Sequence, residues 1–301
     1  MVVILAGGTG GAKLAAGLYD LLGPDELTVI ANTGDDVELY GVHVSPDPDL
    51  VTYWLAGIID ERGWGIEGDS WRVMGALEAA GRPSWFRLGD RDLAMCLVRT
   101  QELNAGRRLT EAHGEVVSAL GVQARVLPMS DAPVRTYVRT PAGRRPFQEF
   151  MILDRAAAPI EEVELRGIAE AAPPPEVLEA IARADAILIG PSNPIISIGP
   201  ILAVPGMKEA LAASQAPVVA VSPFVGGRAV KGPTDAFMQH ASLERSASGI
   251  ARAYEGVIDG LVADEPATGL PVHVTGTLME DAAGRRRVAD AALAHCRSLS
   301  R

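Results

Sequence analysis

The sequence predicts an α/β fold: a doubly wound, mostly parallel sheet with a helical insertion and a small β segment. Two observations predict it. Short apolar runs alternate with helical stretches at both ends of the chain, and strand–helix–strand at this spacing is a crossover joining parallel strands. Between about residues 46 and 120 the pattern turns mostly helical. No internal repeat or low-complexity linker divides the 301 residues, so one compact unit is expected over 1–301, with the insertion at about 46–120.

Taken in order, Val2–Leu5 is an apolar run that ends in glycines, and an amphipathic stretch from Lys13 to Leu22 follows as a helix. The β-branched run Leu27–Ala31 is a second strand and stops at Asn32-Thr-Gly-Asp-Asp36. Asp90 is placed as the N-cap of a helix through Leu103, with Leu93, Leu97 and Thr100 on one face. Gln123–Leu127, Val134–Arg139 and Phe147–Leu153 are expected to be strands, with Pro141-Ala-Gly143 as a turn. Pro174–Ala184 is a helix opened by prolines, Ala186–Gly190 a buried strand, Pro205–Ser214 a helix and Pro217–Ser222 a strand. Gly260–Ala263 and Val272–Val274 complete the sheet.

Composition narrows the function classes. The chain carries 27 basic and 38 acidic residues, a formal charge of −11. Its long-range field repels nucleic acid and anionic membranes, while a small anionic ligand feels only the local field of its pocket. The chain opens directly on strand residues without a basic leader, and no apolar stretch is long enough to span a bilayer, so a cytoplasmic protein is expected. Cys96, within an apolar helical run, is expected to be a buried inert thiol. Cys296, near the frayed C-terminus, is expected to have no structural role. His43, His113, His240, His273 and His295 are scattered without metal-ligand spacing, and no G-x-S-x-G elbow marks a serine nucleophile.

The chemistry concentrates after the strands. Gly7-Gly8-Thr9-Gly10-Gly11-Ala12-Lys13 follows a strand and opens a helix, where glycines admit close approach and free N–H groups favour an anion. Lys13 stands where a dinucleotide fingerprint has its third glycine, and no Gly-Lys-Ser/Thr of a P-loop is present. Lys13 either contacts a phosphate or lies on the solvent side of its helix. Asn32–Asp36 follows the second strand and faces the same crevice, with one of Asp35 and Asp36 serving the site. Carboxylates beside a phosphate site suit Mg²⁺. Asp47 and Asp49, in Ser45-Pro-Asp-Pro-Asp49, are helix caps or join that metal or general-base cluster. Asp90 and the stretch Ser130-Asp131 are caps or part of a polar substrate cluster, with Arg87, Arg91 or Arg135 neutralising phosphate charge. The stiff polar loop Gly190–Pro200, with Ser192 and Asn193, is a binding loop after a sheet strand.

GGTGGAKL (7–14), NTGDD (32–36), SPDPDLVTYWLAG (45–57), GWGIEGDSW (63–71), LGDRDLA (88–94), LPMSDAPVRT (127–136), FQEF (147–150) and GPSNPIISIGPIL (190–202) occur in that order. Together they resemble the 2-phospho-L-lactate transferase family of coenzyme F420 biosynthesis, including its phosphoenolpyruvate transferase members. The resemblance implies a Rossmann-like fold and a Mg²⁺-dependent transferase. A phospholactyl-type group would pass from a guanosine-diphosphate-linked donor to the ribityl hydroxyl of the deazaflavin Fo, releasing GMP. It further implies that Gly7, Gly8, Thr9, Gly10, Gly11, Lys13, Asn32, Ser192 and Asn193 hold the nucleotide. Asp36 and Asp49, with Asp35 and Asp47, would hold metal, position Fo or take the hydroxyl proton. Arg87 and Arg91 would lie near Fo, with Asp90, Ser130, Asp131 and Arg135 kept as further substrate-binding candidates, and the protein would be a homodimer. Pro48 and Leu50 depart from the family's usual SPDLDT, and Pro48 is compatible with a helix start. A nucleotide-sugar-binding regulator of the related gluconeogenesis-factor type is the alternative, but it usually carries a different glycine- and serine-rich sequence after the second strand. A Rossmann oxidoreductase is disfavoured by the missing third glycine and the missing acidic residue at the ribose position.

Overall fold

Strand β1, Val2–Ala6, is apolar at every position because both of its faces are buried in the computed structural model, which describes residues 1–23, 25–157, 159–230 and 232–299. Val2, Ile4 and Ala6 join one core and Val3 and Leu5 the other, as the two-residue period of a strand requires. After β1 come α1 (Gly8–Tyr19), β2 (Leu27–Ala31), the hairpin β3 (Val37–Leu39) and β4 (Val42–Val44), and four helices: α2 (Pro46–Leu55), α3 (Arg72–Ala79), α4 (Asp90–Asn104) and α5 (Leu109–Ala119). There follow β5 (Arg125–Pro128), β6 (Arg135–Thr140), β7 (Gly143–Pro146), α6 (Phe147–Ile152), β8 (Glu162–Arg166), α7 (Pro175–Ala182), β9 (Ala186–Ile189), α8 (Gly199–Ala203), α9 (Met207–Ala213) and β10 (Val218–Val221). The chain continues through β11 (Phe224–Val225), β12 (Arg228–Ala229), α10 (Thr234–His240), α11 (Ala247–Ala253), β13 (Gly260–Ala263), β14 (Val272–Val274) and α12 (Ala282–Ser298).

The main sheet has seven strands in the order β14-β13-β10-β9-β1-β2-β5, and every neighbouring pair is parallel. Helices α1, α2 and α12 cover one face, and α7, α8, α9 and α11 cover the other. The expected doubly wound parallel α/β fold is therefore present. Strand order reverses between β1 and β9, and in such sheets the crevice beyond the strand C-termini at that switch point is where ligands bind. A small antiparallel sheet, β7-β6-β8, lies outside the main one. Helix α1 approaches α12 so closely that a Cβ on Gly17 would lie 2.4 Å from the Arg285 carbonyl oxygen. Among the described residues no helix is long and apolar enough to cross a membrane.

Several local expectations are corrected. Phe147–Leu153 is mostly helix rather than strand: Phe147 and Phe150 are buried three residues apart and Ile152 is exposed, a helical spacing. Helix α1 starts at Gly8 rather than Lys13, so the glycine run is its first turn. Leu97 is 46% exposed, and the buried face of α4 is instead Asp92, Leu93, Cys96 and Arg99. Asp90 does not cap its own helix. It accepts hydrogen bonds from the Arg72 and Val73 amides and caps α3, while Asp69 accepts from the Arg91 and Asp92 amides and caps α4. Cys96 is buried as expected. Cys296 is buried too, because α12 packs against the sheet and is not frayed at that position.

Candidate functional site

The loops after β1 and β9 meet at the switch point. A Cβ on Gly10 would fall 1.9 Å from the Pro191 carbonyl oxygen, and one on Gly11 would fall 2.9 Å from Ser192 Oγ. The glycines are thus needed for the first turn of α1 to seat against Pro191-Ser192. A cleft of about 330 Å³ opens beside them, lined by Gly7–Gly10, Lys13, Asp35, Asp47, Ser192, Asn193 and Ser197. Two polar atoms on this wall, Ser192 Oγ and Asn193 Nδ2, are buried without a hydrogen-bond partner. Together with the amides of the α1 N-terminus they form a donor set suited to a phosphate. Lys13 Nζ also lies 5.9 Å from the centre of the Trp54 ring.

The acidic residues divide into two pairs. Asp47 accepts from the Gly8 amide at 2.7 Å and from Asn32 Nδ2 at 2.9 Å, while Asn32 Oδ1 accepts from the Gly34 amide at 2.8 Å. Asp35, beside it on the cleft wall, keeps a buried Oδ1 without a partner. Burial, and then the charge of Asp47, push the Asp35 carboxyl well above its ordinary range, and burial raises Asp47 to about 6. Two desolvated carboxyls, one with an orphaned buried oxygen, fit a hard divalent cation.

Asp36 and Asp49 are held away from that wall. Asp36 accepts from Ser45 Oγ at 2.7 Å and faces His43 Nε2 at 2.9 Å, and His43 Nδ1 meets Glu38 at 2.7 Å. Both oxygens of Asp49 accept from Arg99, at 2.6 and 2.8 Å. Arg99 is fully buried, also donates to the His43 carbonyl at 2.9 Å, and contacts His113 Nδ1 at 3.5 Å. Burial drops the pKa of His113 to about 4, so it is neutral.

His43 behaves oppositely. Burial alone would lower its pKa, but the bonds to Asp36 and Glu38 outweigh it and raise the value to about 9. Because the folded value is the higher one, this stabilisation is complete below the ordinary value of 6.5 and is lost as pH rises through 9. Urea unfolding is expected to show a stability decline of roughly 2–3 kcal/mol across that window. His43→Gln should flatten the decline, and an unchanged slope in the variant would show that His43 does not titrate this way.

A second cleft of about 560 Å³ adjoins the first and shares Thr9, Asp47, Phe147 and Met151 with it. Its remaining wall is largely apolar and aromatic, including Tyr53, Trp64, Trp85 and Phe86, with Asp49, Asp92 and Arg87. Burial, then the charge of Asp49, raises Asp92 to about 7. Arg87 packs over the Trp71 ring at 5.1 Å. A third, smaller recess of about 170 Å³ contains Arg135 with Asp35, Asp36 and Gln148.

The other sequence candidates lie elsewhere. Arg91 donates to the Glu67 carbonyl at 3.2 Å and lines neither large cleft. Asp131 caps α5 through the Thr110 amide and hydroxyl at 2.8 and 2.7 Å, and Ser130 Oγ accepts from the Ala132 amide. Sequence reasoning missed the cleft residues Tyr53, Trp64, Trp85 and Asp92, and the network of Arg99, His43 and His113. The signal for Asp92 and Arg99 was present: with Cys96 they fall at i, i+4 and i+7, which puts two charges on a buried helical face.

Comparison with known proteins completes the description. The protein-family model for 2-phospho-L-lactate transferase CofD matches residues 2–280. A phosphoenolpyruvate transferase of Kitasatospora aureofaciens is 43% identical over 310 residues, covering 97% of both chains. A 2-phospho-L-lactate transferase of Methanosarcina acetivorans is 43% identical over 88% of this chain and 86% of its own. A crystal structure of a UPF0052 family protein from Bacillus halodurans superposes with a TM-score of 0.62 at 21% identity, covering 97% of this chain and 98% of the other, a likeness of fold alone.

Proposed function

Because the chain belongs to the 2-phospho-L-lactate transferase CofD family, and so is a transferase of a phospholactyl-type group, we propose the full reaction that this membership suggests. A 2-phospho-L-lactate or phosphoenolpyruvate group passes from a guanosine-diphosphate-linked donor to a hydroxyl of the deazaflavin Fo, in coenzyme F420 biosynthesis. The acceptor oxygen forms a bond to the donor's distal phosphorus, the bond to GMP breaks, and a phosphodiester results. The observation that carries the reading is the meeting of two clefts of different chemistry at Thr9 and Asp47. One is walled by glycines, helix-start amides and orphaned donors, as a nucleotide diphosphate requires. The other is aromatic, as a planar ring system requires.

The residues divide the work accordingly. Gly8–Gly11, Ser192 and Asn193 bind the donor phosphates. Asp35 and Asp47 would hold Mg²⁺, which when bound offsets the charge of the transferring phosphate. Asp47, the one carboxylate among the described residues that lines both clefts, stands where the acceptor hydroxyl meets the donor. Asp36 and Asp49 act from behind, fixing Ser45 and the first turn of α2 through His43 and Arg99. Transfer of this kind depends mainly on positioning and charge neutralisation. The same reading carries a cytoplasmic homodimer without a nucleic-acid or membrane partner, consistent with the −11 charge.

The test is a transfer assay with Fo and each guanylated donor, with product mass measured in the presence and absence of Mg²⁺. The expected result is a Mg²⁺-dependent phosphodiester of Fo with release of GMP, and a loss of at least about 100-fold in Asp47→Asn. No product from any guanylated donor, with thermal stabilisation by UDP-sugars alone, would instead establish the nucleotide-sugar-binding regulator.

A further inference from the structure

Three carboxylates line the second cleft: Asp47, Asp49 and Asp92. Asp47 has one oxygen on the Gly8 amide and the other on Asn32, and Asp49 has both on Arg99. Asp92 differs. Its Oδ1 accepts from the Tyr53 hydroxyl at 2.7 Å, while its Oδ2 receives no hydrogen bond from the described residues, and the residue lines the cleft. The carboxyl is held firmly, because its residue lies in the first turn of α4 with its amide bound to Asp69 at 3.0 Å and the residue only 9% exposed. Around it stand Trp85 and Phe86, edge to face at 5.8 Å between ring centres, and Trp64, 43% exposed and stacked under the Arg62 guanidinium at 4.3 Å.

A pocket of this size with aromatic walls and a few polar groups recognises a small molecule by its face and its edge. An acyl chain has nothing to offer the carboxyl, whereas a flat ring system covers the indole faces and brings an edge donor to it. We infer that Asp92 is a specificity-determining residue, whose open carboxyl oxygen accepts a hydrogen bond from a ring N–H on the edge of a planar heteroaromatic acceptor lying among Trp64, Trp85 and Phe86. Tyr53 is the positioning residue that turns the other oxygen away. The inference rests on the reading that the second cleft takes the acceptor.

The experiment titrates the purified protein with Fo, followed by quenching of tryptophan emission from the cleft walls, alongside steady-state kinetics. Asp92→Ala is expected to weaken Fo binding about 10-fold or more, the loss falling on the KM for Fo rather than on kcat or the donor's KM. Tyr53→Phe is expected to show a smaller loss of the same kind, and it carries the test if Asp92→Ala does not fold. An Fo analogue methylated at its ring N–H should bind the wild type about 10-fold more weakly than Fo does, yet bind Asp92→Ala no worse than Fo does. Equal Fo affinity in wild type and Asp92→Ala, or an equal methylation penalty in both, overturns the role of Asp92 and leaves the transferase reading standing. Fo turnover without any change in tryptophan emission removes the acceptor from this cleft and overturns the inference with it. Absence of turnover with any donor, despite quenching by Fo, counts against the proposed reaction while Asp92 is still judged on binding.

Discussion

Arg99→Leu is expected to lower folding stability by about 3–5 kcal/mol and abolish transfer, measured by urea unfolding and by the Fo assay. Arg99 is fully buried, and its guanidinium bonds both oxygens of Asp49 and the His43 carbonyl. Removing it leaves the Asp49 carboxylate buried with no counter-charge, which costs far more than the pair contributes net. The double variant Arg99→Leu/Asp49→Leu is therefore expected to regain at least half of the lost stability without regaining activity, because α2 has lost its tether. Arg99→Lys keeps the charge but lacks the planar fork, and should fall between them. Arg99→Leu as stable as wild type would mean that the pair does not hold this region together.

Gly10→Ala is the second large effect, expected to cost about 3 kcal/mol or more and to remove donor binding, read by thermal unfolding and by GDP titration. The added Cβ meets the Pro191 carbonyl oxygen at 1.9 Å. Both sides are backbone, so the strain can be relieved only by moving the loop that carries Ser192 and Asn193. Gly114→Ala is the control. It lies in α5 with nothing within 4 Å of the new Cβ, and is expected to be stabilising by up to about 1 kcal/mol. Equal behaviour of the two variants would refute the packing account.

Strands β1, β9, β10 and β13 of the main sheet were legible because each is a short, wholly apolar run stopped by a turn residue, as strands buried on both faces must be. Phe147–Ile152 was misread because six residues with apolar ends satisfy a strand and a single helical turn almost equally. The loops of the site were visible as glycines and aspartates after strands, but their partners were not. Nothing in the order of residues says that Asp35 faces the cleft while Asp36 turns to His43, since that depends on the β3–β4 hairpin folding back. Arg99 and His113 were passed over because ionisable residues in helices are usually solvated, and only their positions on a buried face told otherwise. Asp90 illustrates the same limit: it sits at the start of one helix and caps another, a relation fixed by the way α3 and α4 pack.

The position of β1 also governs how the molecule reaches its native state. β1 is bounded by β2 on one edge and by β9, some 180 residues onward in sequence, on the other, and α1 is closed by α12 through the Gly17–Arg285 contact. The contacts that complete the core are therefore among the most distant in sequence, a high-contact-order arrangement that slows folding. Until β9 arrives, β1 presents an unpaired, wholly apolar edge, the kind that joins other chains. This interior strand, at one side of the switch-point crevice, is thus also the segment most in need of protection during refolding, and dilute, cool conditions should favour recovery of the native protein over aggregate.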